Sequence, residues 1–420
     1  MQWPSVVKAW AAWQANPSLF TQTPAQVVAT EQFKIMNSEY VRERVSAQYA
    51  MLELKPFQRL SILGGVRRER TSVDGLGPIV DPTAVWVRTA DGGFARAADG
   101  SRIRKPEAGA VGSLQELALV RKERGFRANR LYAGNYPSLH LTYQQSANLI
   151  ARASYAETYG RPDFTSIIPN TSITELDINN DPNALDGRIS VRNPGLKPWS
   201  ARNYDLSLEY YTAQGGLFSV GAFRKTIQDF FASSTIIATE QDLRDFDLGP
   251  QYIGWEINST TNGGNARVDG IEFNAQHSLQ ALGQWGRPFQ AFLNGTKLKL
   301  YGSQRGNFGG FVRGTLSWGL TYNHRRLKVV ARWNHRGQRL DSVVAALNPN
   351  GGSYTIPRTI MDLNAEFRVS PRLSVFANAQ NVFAVSDKVE RFGDNTPAYA
   401  RRSSDTNTGV LLTWGVKGSF

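Results

Sequence analysis

The stretch TIMDLNAEFRVSPRLSVFANAQNVFA, residues 359–384, alternates between apolar and polar positions. Met361, Leu363, Ala365, Phe367 and Val369 fall on one side, and Asp362, Asn364, Glu366 and Arg368 on the other. After Ser370-Pro371 the pattern resumes, with Leu373, Val375, Ala377 and Ala379 against Arg372, Ser374, Asn378 and Gln380. Side chains alternate across a strand, so each half is a strand with one greasy and one wet face, and the two form a hairpin. The same pattern recurs in pairs: 39–54 with 59–71, 136–144 with 149–160, 202–211 with 216–231, 266–279 with 289–301, and 310–322 with 327–337. A lone strand at 408–420 finishes the chain.

The spacing of these pairs carries as much information as their alternation. Within a pair the connection is a few residues; between pairs it is long and polar, over 72–131, 161–201, 232–265, 338–358 and 385–407. In an up-and-down sheet, odd and even connections lie at opposite ends. This chain is therefore expected to have one end of tight turns and one of large loops, the asymmetry of outer-membrane barrels with short periplasmic turns and long external loops. The expected fold is all-β, an antiparallel up-and-down transmembrane β-barrel contributing about 13 strands. Its apolar rows, such as Val312, Leu316, Trp318, Leu320 and Tyr322, turn to lipid, and Arg313, Thr315, Ser317 and Thr321 turn to a hydrated lumen. Tryptophan and tyrosine near strand ends suit the membrane interfaces. No apolar run is long enough for a spanning helix, which leaves a closed barrel as the route across a bilayer. The alternatives are a soluble sandwich or a propeller. A sandwich has no reason to segregate loop lengths, and no repeat of about 40 residues marks propeller blades.

Composition modifies this picture little. The 38 glycines and 11% aromatic content favour turn-rich β structure. The net charge of +13 admits nucleic acid as a partner, but the basic residues are scattered through strands and loops without a basic helix or a stacking motif. A solvated, Arg-rich surface or contact with an anionic membrane accounts for the excess, and no nucleic-acid partner is expected. The absence of cysteine excludes disulfides, thiolate catalysis and Cys-based metal sites. The first 20 residues lack the basic and apolar regions of a secretory signal.

Candidate chemistry is sparse. Asp177, Asn179, Asp181, Asn183 and Asp186 alternate as in a calcium loop, but Pro182 stands where that loop needs glycine and Arg188 where it needs a bidentate acid. The segment reads as a solvated loop. His140, His277, His324 and His335 are far apart and form no ligand pair, so no metal is expected. GGNARVDG, residues 263–270, lacks the Lys-Ser/Thr of a phosphate loop and reads as a turn. No cofactor motif and no nucleophile–base constellation is present, so the chain is not read as an enzyme. Glu272, Glu366 and Asp362 occupy polar rows already rich in arginine, where ion pairing is the default. Arg152, Arg313, Arg332 and Arg336 either present a cationic lumen wall to an anionic substrate or pair with neighbouring acids.

Several of these stretches resemble the C-terminal barrel of TonB-dependent outer-membrane receptors. NPGLKPWSARNYDLSLEYY, residues 193–211, is similar to the family's pattern of Asn-Pro-x-Leu-Lys-Pro before an aromatic-rich strand, and GLFSVGAFRKTIQDFF follows as its usual partner. Residues 136–164 resemble an earlier hairpin that ends at Arg161-Pro162, and LSVFANAQNVFA resembles the penultimate strand. Residues 39–420 would then form the C-terminal part of a barrel of about 22 strands. Residues 1–38 would be the tail of an external loop with a short amphipathic piece near Val6–Trp13, and the N-terminal plug, TonB box and signal would lie outside the sequence. The resemblance implies outer-membrane location and import of a scarce solute such as a siderophore, cobalamin or an oligosaccharide. It implies energy from the TonB complex through the plug, ligand contact at external loops including Asp177 and Asp181, and lipid as surroundings. Phe420, with Trp414 on the same strand, resembles the terminal signal read by the barrel-assembly machinery. The alternatives are a passive or structural outer-membrane barrel and a secreted soluble glycan-binding β protein.

Overall fold

The computed structural model describes residues 5–90, 92–123, 127–175, 187–193, 195–302, 310–347 and 351–418. Thirteen long strands form its wall: β1 (Tyr40–Phe57), β2 (Leu60–Leu76), β3 (Arg127–Gln144), β4 (Leu149–Gly160), β5 (Trp199–Tyr211), β6 (Leu217–Ile237), β7 (Glu256–Ser278), β8 (Phe289–Gly302), β9 (Gly314–His324), β10 (Leu327–Arg336), β11 (Arg358–Ser370), β12 (Leu373–Gln380) and β13 (Leu411–Gly418). Each pairs antiparallel with the next in sequence. Among the described residues β1 pairs only with β2 and β13 only with β12, so the sheet is open at both edges. The short connections, including 58–59, 145–148, 325–326 and 371–372, lie at one end and the long ones at the other. Tyr40 stands opposite Leu76 and Phe57 opposite Leu60, which puts the residues before β1 at the long-connection end.

Register explains why the two faces separate so cleanly. Tyr210, Phe218, Ala275, Leu293, Trp318, Trp333 and Met361 stand abreast on seven consecutive strands. Trp318 and Trp333 stack with ring centres 6.3 Å apart. One residue along, Glu209, Ser219, Asn274, Asn294, Ser317 and Asn334 stand abreast on the opposite face, and the Ser317 hydroxyl donates to Asn334 at 2.9 Å. A one-residue slip of any strand would exchange the two faces, so the register is strongly specified. Among the described residues nothing covers most of the apolar rows: Leu206, Leu412 and Trp414 are exposed, the last to 83%. A face of this area left to water is unfavourable, and hydrocarbon relieves it. Among the described residues no helix is long and apolar enough to cross a membrane.

The largest buried cluster lies in the long connections; a smaller one, Ala201, Ile227 and Ala266, lies on the inner face of the wall. Thr171–Glu175 pairs antiparallel with Gly187–Val191, and its alternation buries Ile173 against Ile189 and Val191 while Ser172 and Arg188 stay exposed. Ala238, Leu243, Tyr252, Trp255 and Ile257 complete this cluster from the 238–255 connection and the start of β7. Ile79–Val80 and Glu256–Asn258 add parallel pairings from either side, so three connections interlock. Below them, Ile167 and Leu196 pack on Val73 of the inner face, which closes the connections down over the polar side of the wall. A separate four-stranded sheet, Arg339–Val343, Gly352–Thr355, Asp387–Phe392 and Arg402–Thr406, joins the last two long connections.

Several expectations from the alternation need correction. The connection expected over 232–265 is shorter, 238–255: the ladder continues from Ala232↔Thr261 to Ile237↔Glu256. GGNARVDG is likewise strand, where β7 passes register shifts beside Asp229, which sits at φ 57°. Beyond the apolar band apolar and polar residues no longer alternate, as in QDFFASSTII at 228–237, so the period-two signal vanishes while backbone pairing carries on. β3 begins at Arg127, β9 only at Gly314, and Leu279 lies in a turn after β7. The amphipathic piece near Val6–Trp13 is helix α1 (Val6–Ala15), with Trp10 stacked on Trp13 at 4.7 Å. An unforeseen helix, α2 (Pro24–Met36), follows, held by a capping box between Thr23 and Gln26.

Two predictions follow from this packing. Leu363 lies mid-strand in the apolar row Leu320, Ala331, Leu363, Ala379. Leu363→Arg is expected to cost about 2–4 kcal/mol of membrane-embedded stability, read as loss of heat-modifiable, urea-resistant protein from the membrane fraction. The same change at Asn364, on the opposite face, is expected to leave that yield near the parent's. In the connections, the buried Tyr252 hydroxyl donates to the Asp81 carboxylate. Burial first, then the negative charge of Asp81, pushes its ionisation well above the ordinary tyrosine range. The unfolded chain then ionises first, so Tyr252's contribution is intact below about pH 10 and is lost as pH climbs toward the raised value. Tyrosinate absorbance in an alkaline titration should show a late-ionising group that Tyr252→Phe removes.

Candidate functional site

The inner face presents the arginines that the strand pattern singles out, at different heights. Arg152, near the 145–148 turn, donates to Glu209 at 3.0 Å, and the Tyr211 hydroxyl reaches the same carboxylate at 2.9 Å. Arg332 lies midway along β10, level with Asp362, its guanidinium 5.5 Å from the centre of the Phe292 ring. Asp362 itself accepts from Asn334 and from the backbone N–H of Asn381. Arg336, at the long-connection end, and Arg358 share one carboxylate, Asp387, at 2.8 and 3.2 Å. The Arg336 Nε is buried without a partner among the described residues. Two guanidiniums on one acid leave a local positive excess. Arg152 is matched by its own acid and leaves none.

Arg313 stands elsewhere. It lines a cavity of about 1310 Å³ with Lys297, Lys299 and Tyr301 of β8 and Leu340 and Tyr354 of the connection after β10. The four arginines are therefore not gathered into one pocket. Arg336 and Arg332 share the upper inner wall, Arg152 sits near the turns, and Arg313 faces the rim. Asp177 and Asp181 lie outside the described residues. Trp414 is on the outward face of β13, abreast of Ala377, and Phe420 lies outside the described residues.

Of the other acids, Glu366 takes Lys417 at 3.1 Å across the polar face. His335 bonds Thr359 at 2.9 Å and His277 bonds Thr212 at 3.1 Å, each within its own strand neighbourhood. Among the described residues no group of three or more His, Asp or Glu converges as a metal site would require.

A cluster in the first long connection was not anticipated. Phe94 is sandwiched between the guanidiniums of Arg88 and Arg102, at 3.9 and 3.7 Å from its ring centre. Arg102 donates to both oxygens of Glu175 at 2.8 Å, tying this connection to Thr171–Glu175. Arg88 donates to Thr83 and to the Gly92 carbonyl; burial lowers its pKa, against the favourable charges of Tyr252 and Asp81. The local signal was two turn sequences, ADGG and ADGS, between short runs carrying Arg88, Phe94, Arg96 and Arg102 at strand-like spacing. Arg102 is matched by Glu175 and Arg88 is held by neutral acceptors, so the cluster fastens the connections together.

The geometry is that of a wall with a polar inner face, an apolar outer face and connections folded over one mouth. Similar walls occur in solved structures. The copper transporter OprC aligns with a TM-score of 0.54 at 14% identity, over 90% of this chain and 48% of that one. The ferric yersiniabactin uptake receptor FyuA of Yersinia pestis gives 0.52 at 13% identity, over 91% and 46%. A variant of the ferric enterobactin receptor PfeA of Pseudomonas aeruginosa, in complex with enterobactin, gives 0.52 at 17% identity, over 90% and 55%. The chain thus spans about half the length of these structures, and at such identities the likeness is one of fold. No curated protein matches the sequence significantly. The TonB dependent receptor-like β-barrel family matches residues 8–382, nearly the whole ladder from α1 to the end of β12. On that match the chain belongs to the TonB-dependent receptor-like β-barrel family.

Proposed function

We propose that residues 39–420 form the C-terminal part of the wall of an outer-membrane receptor that imports a scarce solute, with energy delivered by TonB through a plug domain seated in the lumen. The observation that carries this reading is the family match over a ladder whose loops close on one mouth of a polar interior. Residues 1–38 belong to the external rim, since β1 begins at the long-connection end. The solute meets the connections first and the inner wall second. The work is binding and passage, with no catalytic step. An anionic chelate suits the wall better than a neutral sugar, because Arg332, Arg336 and Arg358 outnumber the acids beside them. Ferric siderophores, named for two of the similar structures, are the first class to try; copper, named for the third, cobalamin and oligosaccharides are the others. Arg152, Arg313, Asp177 and Asp181 are further candidates for solute contact, the last two through the external loop that carries them.

The test is a binding panel on detergent-purified protein: a ferric catecholate, cupric ion, cyanocobalamin and a maltooligosaccharide, followed by tryptophan quenching. One class is expected to bind saturably. Replacing Arg332 and Arg336 by glutamine is expected to weaken it at least tenfold, as about 1.4 kcal/mol corresponds to tenfold. Absence of binding by all four, together with steady passive conductance in planar bilayers, would replace this reading with a passive barrel. Recovery of the chain from the soluble periplasm without detergent would replace it with a soluble glycan-binding protein.

A further inference from the structure

On the face that carries the apolar rows, charge is confined to one end. Along β6, β7 and β8, starting from the short turns, the positions abreast are Phe218, Ala275 and Leu293, then Val220, Phe273 and Gly295. Next come Ala222, Ile271 and Lys297; then Arg224, Asp269 and Lys299; then Thr226, Arg267 and Tyr301. The face is hydrocarbon-like for two rows and cationic within the next two. β2 repeats the change: Ile62, Gly64 and Val66 give way to Arg68 and Arg70, both exposed. At the short-turn end the same face carries Leu149, Tyr210, Phe218, Phe289 and Tyr322 and no arginine or lysine.

This shelf is undercompensated. Asp269 is its one carboxylate on β6–β8, and Arg224 takes it with two bonds of 2.9 and 3.0 Å. Arg267 approaches the same group at 3.5 Å and lies over the Tyr301 ring at 4.1 Å. Lys299 lies 4.8 Å from that ring, and Lys297 is exposed with no ion-pair partner among the described residues. The cavity of about 1310 Å³ opens here, with Arg224, Lys297 and Lys299 on one part of its wall and Leu206, Ile271, Phe311 and Leu340 on another; Arg267 lies one row further along, beside Tyr301. Cations directly above an apolar band, beside a pocket with both kinds of wall, are complementary to an amphiphile: a phosphate-bearing headgroup at the cations and acyl chains on the apolar rows.

We propose that the outward shelf of Arg267, Lys297 and Lys299 docks the phosphate groups of an anionic membrane lipid in the leaflet on the long-connection side. The occupant is a lipid and not free phosphate, because the ligating groups end where the acyl-binding rows begin. The inference depends on which face meets the membrane; its cavity is also lined by Arg313, but none of its three cations is among the residues proposed to contact the solute.

The test uses the full chain in detergent, exchanged into bisphosphorylated lipid A or the same lipid with its phosphates removed. Bound lipid per chain is measured by native mass spectrometry. The parent is expected to retain the phosphorylated lipid in preference, less so at high salt. The triple variant Arg267→Gln, Lys297→Gln, Lys299→Gln is expected to lose about fivefold in affinity for each cation removed, and Lys34→Gln on α2 to lose none. Heat-modifiable migration checks that the triple variant has folded. Should it not fold, Lys297→Gln alone, whose ammonium holds no partner, carries the test with an expected loss of about fivefold. Equal retention by variant and parent, equal binding of the dephosphorylated lipid, or full displacement by millimolar inorganic phosphate would each overturn the proposal. The solute panel reads none of these quantities, so either result can fail alone.

Discussion

The wall is governed by one requirement: where hydrocarbon touches the backbone, every N–H and C=O must find a partner in the protein. An antiparallel ladder between sequence neighbours meets that requirement at each interior strand, from β2 to β12, and in doing so places every side chain by parity. The apolar rows and the polar rows are then consequences of backbone pairing, and side-chain attraction follows from it. The same requirement applies at the outer edges of β1 and β13, whose remaining backbone groups are unpaired among the described residues. Such edges are templates for further strands and are not tolerated in lipid.

Because the wall spends its apolar side chains on its surroundings, it has little interior of its own. The molecule's close-packed core is built where the chain leaves the membrane. Ile173, Ile189, Leu243, Trp255 and Ile257 supply the burial, and Tyr252–Asp81 and Arg102–Glu175 satisfy the polar groups enclosed with them. Anchoring three connections to one another and to Val73 of the inner face gives the loop end a defined shape. Packing within the loops holds that end in place.

Charge is arranged to match the same division. Inside, arginines mostly meet acids, as Arg152 meets Glu209, and the excess gathers near Asp387. Outside, on β6–β8, cations appear from the row of Ala222, Ile271 and Lys297 onward. Both patterns place unmatched positive charge toward the loop end.

The wall was legible in the amino-acid order because its rule is local. Alternation at 359–384 and at each hairpin, with short and long connections in turn, specified thirteen strands, their direction and their outward residues, and the structure has those strands. The signal ended where apolar and polar residues no longer alternate: the upper parts of β6 and β7 and the residues 263–270 pair as strand although nothing in their hydrophobic pattern requires it. The site was less legible. Arg152, Arg313, Arg332 and Arg336 carry the same side chain on the same type of row. Only the fold decides that the first is neutralised by Glu209, that Arg332 stands over Phe292, that Arg336 shares Asp387 with Arg358, and that Arg313 faces a rim cavity with Lys297 and Lys299. Those partners come from distant positions, so the sequence by itself determines which residues share a face, while tertiary structure decides which charges are left unmatched on it.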